Sequence, residues 1–366
     1  MQKKASGMNY APRSAEGTTR KACARGEFQL GVIGLDHGHI YGMCNGLTEA
    51  GGEVAMVYDP DPVKVEAFLK AFPGTPVARS EDEVLQDKDI RLVASAAVPV
   101  RRAELGIRAM ECGKDYFADK PPCTTRDQLE RARRVTQETG RFYSVYYSER
   151  IHVEASVMAE RLIREGAIGR VVQVINIAPH RMSLEQRPDW FVDPTQYGGI
   201  IVDIGSHQIE QFLYYTGARD AQVESSRVGN FTVPQHPRFE DFGDATLTAD
   251  TGAVGYMRVD WLNPDGLGAW GDGRMFVLGT EGYMEVRKYI DVARDPEGDH
   301  LYLVDRQGEH YFNAAGKEGF PFFGNLIRDC LERTQTAYSQ HTAFKAIELA
   351  LDAQENARKL DGTALR

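Results

Sequence analysis

The sequence predicts an N-terminal α/β domain built on a doubly wound parallel sheet. It predicts a second, α+β domain with a large, mostly antiparallel open sheet. Two observations carry this. Over 27–147, short apolar runs alternate with segments of helical period, the pattern of strands joined by crossover helices. Over 148–366, strand-like runs follow one another with turn signals between them, at Thr251-Gly252, Thr280-Glu281-Gly282 and Arg306-Gln307-Gly308. A chain of 366 residues is long enough for both cores.

Taken in order, residues 1–26 are polar and rich in Lys, Arg, Ser, Thr and Gly, without the apolar stretch of a secretory signal, so they read as a flexible N-terminal arm. Strands are expected at 28–34, 53–58, 90–97, 115–118 and 141–147, and helices between them up to residue 50 and at 63–72, 100–112 and 126–139. Gly113 and Gly140 close the last two helices. In the second domain a helix is expected over 149–166 and another over 198–217. Strands are expected at 170–179, 221–231, 244–250, 253–261, 274–279, 282–286 and 300–304, and closing helices at 323–333 and 343–360.

Composition narrows the function. A net charge of −10 disfavours nucleic acid and anionic membrane surfaces as partners. No apolar run approaches the roughly 20 residues needed to span a bilayer. The five cysteines are odd in number, scattered and without metal-ligand spacing, which suits a cytoplasmic protein with neither disulfides nor structural zinc.

Doubly wound sheets bind ligands beyond the carboxyl ends of their strands. Here those ends are Gly34 onward, Asp59, Ala97 to Pro99, and Asp119 to Pro121. The first is an imperfect dinucleotide fingerprint: aligned on Gly34, Asp36 and His39 stand at the second and third glycine positions, with Gly38 and Gly42 nearby to compensate. The cofactor-binding candidates are therefore Gly34, Asp36, His37, Gly38, His39, Ile40, Asp59, Ala97, Pro99, Asp119 and Lys120. Asp59 ends the second strand, where a carboxylate accepts hydrogen bonds from ribose hydroxyls and repels a 2′-phosphate, so NAD is expected over NADP. His37 and His39 beside Asp36 have loop spacing with no cysteine in support, and no metal is expected.

The 198–210 stretch carries the other chemistry. Read as a helix, it places Asp203 and His207 four residues apart on one face, with Glu210 one turn further on. A carboxylate beside an imidazole suits proton transfer, and Asp203 lies in an apolar run where a charge needs a partner or a task. Arg181, Trp261, Trp270 and Glu210 are weaker candidates for the substrate pocket, since aromatic faces suit sugar rings and Arg suits anionic groups.

Together, the glycine-bearing first turn, Asp59, Asp119-Lys120-Pro121 and the stretch from Gly198-Gly199 to His207 resemble the glucose-fructose oxidoreductase/inositol dehydrogenase (Gfo/Idh/MocA) family over residues 28–360. Asp119-Lys120-Pro121 looks like the family's Glu-Lys-Pro motif and the later stretch like its Gly-Gly…Asp-x-Gly-x-His motif. The resemblance implies an N-terminal Rossmann domain and hydride transfer between nicotinamide and a sugar, polyol or related hydroxyl. It also implies a homodimer or homotetramer formed through the C-terminal sheet. By this match Lys120 orients the reacting oxygen, Asp203 positions the substrate or the imidazole, and His207 is the general acid/base. The family also allows a redox-neutral NAD-cycling lyase or glycosidase, or a non-catalytic ligand-binding member. Where many relatives carry Thr-Pro-x-x-x-His, this chain has Ala97-Val98-Pro99-Val100-Arg101-Arg102, and Arg101 or Arg102 offers positive charge towards a substrate instead.

Overall fold

The computed structural model describes residues 7–360; the first six residues of the arm and residues 361–366 lie outside them. The described chain divides into two compact units, one of residues 8–146 with 319–344, the other of 147–318 with 345–360 and residue 7.

The first unit runs β1 (Gln29–Ile33), α1 (His39–Glu49), β2 (Glu53–Tyr58), α2 (Pro62–Ala71), α3 (Glu81–Gln86), β3 (Ile90–Ser95), α4 (Pro99–Glu111), β4 (Asp115–Asp119), α5 (Arg126–Thr139) and β5 (Tyr143–Tyr146). The five strands form one parallel sheet in the order β2-β1-β3-β4-β5. Apolar side chains that are buried along β1, β3 and β4 show why these runs read as continuous rather than alternating. The strand order reverses between β1 and β3, and ligands of such sheets sit in that crevice, beyond Ile33 and Ser95. Local chemistry sets the helix ends: Asp61 caps α2, Ser80 caps α3 and Thr125 caps α5, each accepting a backbone N–H, while left-handed Gly140 ends α5.

Residues 8–22 run beside α1. Asn45 Nδ2 donates to Ala11 O at 3.3 Å, Ser14 N to Glu49 Oε2 at 3.0 Å, and Ala22 N to Ala50 O at 2.8 Å.

The second unit continues with α6 (Ser148–Ile151), α7 (Glu154–Arg164), β6 (Val171–Pro179), α8 (Pro194–Tyr197) and α9 (Ser206–Thr216). Next come β7 (Ala221–Gly229), β8 (Phe242–Ala249), β9 (Val254–Asp260), β10 (Arg274–Gly279), β11 (Tyr283–Arg287), β12 (His300–Asp305) and β13 (Gly308–Asn313). The chain closes with α10 (Pro321–Glu332), α11 (Gln340–Glu355) and β14 (Arg358–Leu360). The nine-stranded sheet has the order β13-β12-β11-β10-β6-β9-β8-β7-β14. It is antiparallel except at β6–β9 and β7–β14. Helices α7 and α9 pack on it, and it also carries exposed Phe276, Leu278, Tyr283 and Tyr311.

Three expectations are corrected. The 149–166 helix is two, broken at His152 and Val153. The last helix stops at Glu355, because residues 358–360 pair in parallel with β7 and so serve the sheet. The 198–217 helix begins later than expected: Gly198 and Gly199 are left-handed (φ 91° and 97°), and the first turn, Ile201–Gly205, is a wide π-type turn that runs without a break into α9. Such turns gather at functional sites, where the extra residue re-aims side chains. Among the described residues, no helix is long and apolar enough to cross a membrane.

Candidate functional site

At the β1/β3 crevice, Gly34 has φ 83°, and a Cβ there would lie 2.7 Å from Ala97 Cβ, so this position needs glycine on both counts. Asp59, at the end of β2, is pinned to the same turn: its Oδ2 accepts from Leu35 N at 2.7 Å and its Oδ1 from Asp61 N at 2.8 Å. Each oxygen keeps a second lone pair for a hydroxyl. Asp36, the out-of-place carboxylate of the fingerprint, is neutralised locally. Its Oδ1 pairs with Lys64 Nζ at 2.6 Å and its Oδ2 accepts from Val98 N at 3.0 Å. Burial would lower the Lys64 ammonium, but the bond to Asp36 and the charges of Asp36, Asp59 and Asp61 hold it above its ordinary value.

Gly38 and Gly42 have a different use from the one expected. A Cβ on Gly38 would lie 2.2 Å from Met8 O, and one on Gly42 2.6 Å from the Tyr146 hydroxyl and 3.4 Å from Ala11 Cα. They make room for the arm and for β5. Ile40 is fully buried in the core, while Pro99 simply opens α4.

A charged cluster lies behind the crevice. His37, His39, Arg102, Asp119 and Lys120 are all buried. Asp119 Oδ1 takes His39 Nδ1 at 2.8 Å and accepts from Lys120 N at 2.8 Å; Asp119 Oδ2 pairs with Arg102 Nη2 at 3.0 Å and lies 3.3 Å from His37 Nδ1. His37 Nδ1 in turn accepts from His39 N at 3.2 Å, occupying an amide of the first helical turn. Burial pushes the His37 imidazole well down, helped by His39. Burial would raise the Asp119 carboxyl, yet His39, Arg102 and His37 hold it well below the usual carboxylate range. His37, His39 and Asp119 offer ligand atoms within 4.8 Å of one another, but Arg102 already stands at Asp119 as the counter-charge. Of the two arginines expected to face a substrate, Arg101 is on the surface with Glu81 at 3.0 Å, and Arg102 turns inward to backbone carbonyls.

In the second unit, the Gly-Gly of the later motif starts the π-type turn. Gly199 leaves no space for a Cβ against Gln354, whose Oε1 accepts from Ile201 N at 2.9 Å, while Glu240 Oε2 accepts from Ile200 N at 2.9 Å. Gly205 packs against Met257 of β9, where a Cβ would lie 3.0 Å from Met257 Cε. Asp203 and His207 are both buried, on consecutive turns of one helical segment.

Around them lie groups that the sequence reading missed. Glu149, from α6, is buried; its Oε2 accepts from Gln208 Nε2 at 2.9 Å and Lys288 Nζ at 2.8 Å, and Lys288 also donates to Gln211 Oε1 at 2.8 Å. Glu149 Oε1 lies 3.9 Å from His180 Nε2. Burial would raise this carboxyl, but Lys288, His207 and His180 hold it far below its ordinary value. Arg187 stacks on Phe191 and Trp261, at 4.6 and 4.9 Å from the ring centroids. Burial lowers it to about 10, against the opposing pull of Asp203. The only signal for Glu149 was an acid at the start of an otherwise ordinary helix, and Arg187 sits in a loop with none.

The weaker candidates separate. Trp261 and Trp270 flank His180 at 5.3 and 4.8 Å between ring centroids. Arg181 donates from Nη2 to the loop carbonyls Leu267 O at 2.6 Å and Ala269 O at 2.7 Å. Glu210 is fully buried and paired with Arg150, Nε to Oε1 at 2.7 Å, so its charge serves packing.

A five-stranded parallel sheet with this crevice, followed by a large mostly antiparallel sheet, defines an NAD-binding oxidoreductase of the dehydrogenase class. Residues 28–147 match the profile of an oxidoreductase family with an NAD-binding Rossmann fold, and residues 157–285 match the GFO/IDH/MocA C-terminal domain. The chain belongs to the GFO/IDH/MocA oxidoreductase family. It is 26% identical over 291 residues, 78% of its length and 79% of the relative's, to scyllo-inositol 2-dehydrogenase (NAD(+)) of Bacillus subtilis. A crystal structure of a candidate oxidoreductase from Erwinia carotovora atroseptica is 48% identical with TM-score 0.89, covering 91% of this chain and all of that one. Levoglucosan dehydrogenase in complex with NADH and levoglucosan shares the fold at 18% identity, with TM-score 0.75, over 90% of this chain and 97% of that one.

Proposed function

We propose that this protein is an NAD-dependent dehydrogenase that moves a hydride between nicotinamide and a ring hydroxyl or ketone of a sugar or polyol. The observation that carries the reading is Lys120, a buried lysine at the carboxyl end of β4 whose backbone N–H is fixed by the Asp119 carboxylate. The names of two relatives, a scyllo-inositol dehydrogenase and a D-xylose dehydrogenase, support the substrate class.

Bound NAD would supply the hydride acceptor. Gly34, Leu35, Asp59 and Ala97 are the residues that would hold it: the left-handed turn at Gly34 presents backbone without a side chain, and Asp59 has lone pairs for ribose hydroxyls. The Asp59 charge disfavours a 2′-phosphate and supports NAD over NADP. Relatives of both kinds exist, including the NADP(+)-dependent scyllo-inositol dehydrogenase IolW of Bacillus subtilis.

In this reading His207 takes the hydroxyl proton, since oxidation to a ketone requires a base within hydrogen-bond reach of that oxygen. The Lys120 ammonium stabilises the developing alkoxide, and Asp203 orients the imidazole or the substrate. The exposed apolar residues of the large sheet, Phe276, Leu278, Tyr283 and Tyr311, support a homodimer or homotetramer built on it. Five free thiols suit a cytoplasmic setting.

The test is a panel of inositols, pentoses, hexoses and anhydrosugars assayed for NADH formation, with titrations of NADH and NADPH. Turnover that disappears in Lys120→Ala and His207→Ala, with NADH bound at least tenfold more tightly than NADPH, is expected. Product formed without net NADH would replace the dehydrogenase by an internal redox cycle. No turnover despite NADH binding would point to a ligand-binding member.

A further inference from the structure

The reading above gives Arg102 no task, yet it is the most completely buried cation of the first unit, with 0% exposure. A guanidinium is removed from water at great cost unless its donors are matched. Here they are. Nε donates to Ala97 O at 2.7 Å, Nη1 to Lys120 O and, at 3.2 Å, to Pro121 O, and Nη2 to Asp119 Oδ2 at 3.0 Å.

The acceptors have one thing in common: they come from the strand exits on either side of the crevice. Ala97 lies beyond β3, against the Gly34 turn. Asp119, Lys120 and Pro121 are consecutive at the exit of β4. Lys120 is held at both ends of its own backbone, its carbonyl by Arg102 and its N–H by Asp119 Oδ1 at 2.8 Å. The same Asp119 oxygen receives His39 from the first turn of α1, at 2.8 Å. One guanidinium thus joins β3, β4 and, through Asp119, the dinucleotide turn.

We propose that Arg102 is a positioning residue that sets the place of Lys120 relative to the dinucleotide turn, acting through the Lys120 and Pro121 carbonyls and the Asp119 carboxylate. The task depends on shape as well as charge. A guanidinium presents donors in a rigid planar fork, whereas a lysine ammonium is a compact point charge and cannot reach four acceptors on two strands at once. The inference rests on Lys120 being a working group of the site.

The experiment compares Arg102→Lys, His39→Gln and Lys120→Met in the full-length chain. It uses the best polyol of the substrate panel, with melting curves for the fold and NADH fluorescence for the dissociation constant. Displacing a reacting group by about 1 Å is enough to cost on the order of a hundredfold in rate. Arg102→Lys is therefore expected to fold, to bind NADH within about threefold of wild type and to keep KM within about threefold, while kcat falls at least tenfold. That split is what a merely structural arginine would not produce. A folded Arg102→Lys enzyme with wild-type kcat, or one whose NADH affinity falls as far as its kcat, overturns the inference. If Arg102→Lys does not fold, His39→Gln carries the test, because it leaves the guanidinium and its carbonyls in place. The same split, with kcat lowered by a smaller factor, is then expected, and an unchanged kcat refutes the linkage. Lys120→Met separates the two levels. If it turns over normally, the role of Lys120 is wrong and Arg102's with it; if it is dead while Arg102→Lys is fully active, only the positioning inference fails.

Discussion

Asp119→Asn tests whether the cluster behind the crevice is held together by charge. The carboxylate has no exposure, and both of its oxygens are engaged, by His39 Nδ1 and Lys120 N on one and Arg102 Nη2 on the other. The amide is nearly the same shape but leaves the Arg102 guanidinium buried without a counter-charge. Removing one partner of a buried pair costs about 3–5 kcal/mol, which for a unit of this size lowers its melting temperature by roughly 10 °C. The pH dependence has a definite sign. Because the Asp119 carboxyl is held below its ordinary range in the folded protein, its contribution is present above the unfolded value and lost as pH falls below it. The stability gap between wild type and Asp119→Asn should be full at pH 7 and smaller by about 1 kcal/mol at pH 3, at 1.36 kcal/mol per pH unit below an unfolded pKa near 3.9. Urea unfolding of both proteins at the two pH values measures it. A gap below about 1 kcal/mol at pH 7 would mean that the network is not held by charge.

Two further predictions concern other parts of the chain. Burial pushes the Asp299 carboxyl up to about 6 despite the hydrogen bond from Ala155 N at 2.8 Å. Its stabilising contribution is present at pH 4 and lost as pH rises through 6, so Asp299→Asn, which keeps the acceptor and tolerates the positive φ, should stabilise the protein at pH 7.5 by up to about 3 kcal/mol and hardly at all at pH 4; equal urea midpoints for the two proteins at pH 7.5 would contradict this. Gly38→Ala meets no conformational objection at φ −65°, but its Cβ would strike the Met8 carbonyl at 2.2 Å, so the arm should lift and trypsin should cut after Arg13 several-fold faster; an unchanged cleavage rate would show that residues 8–9 do not depend on this glycine.

Much of the fold was legible because its signals are local. Apolar runs alternating with helical periods set the five parallel strands, and turn residues separate most strands of the large sheet. The errors arose where a distant partner decides. Residues 358–360 look helical until β7 offers a strand edge, and the 198–217 helix starts late because Gly199 is left-handed where it packs against Gln354, over 150 residues away. The candidate Lys120, Asp203 and His207 could be picked out by motif, since such chemistry draws on few residue types.

The surroundings of those residues were beyond sequence reasoning. Asp36 reads as a defect in the fingerprint, but Lys64 lies 2.6 Å away, and Arg102, read as positive charge towards a substrate, donates to four inward acceptors. Glu149 takes its counter-charge from Lys288, 139 residues later in the chain. What the sequence by itself determined is where most of the strands and helices fall along the chain and which residues are candidates for chemistry, because periodicity and motif spacing are written within a few residues. What only the tertiary structure decided is which charge neutralises which, because a buried charge takes its counterpart from whatever the fold brings within about 3 Å, however far away in the chain.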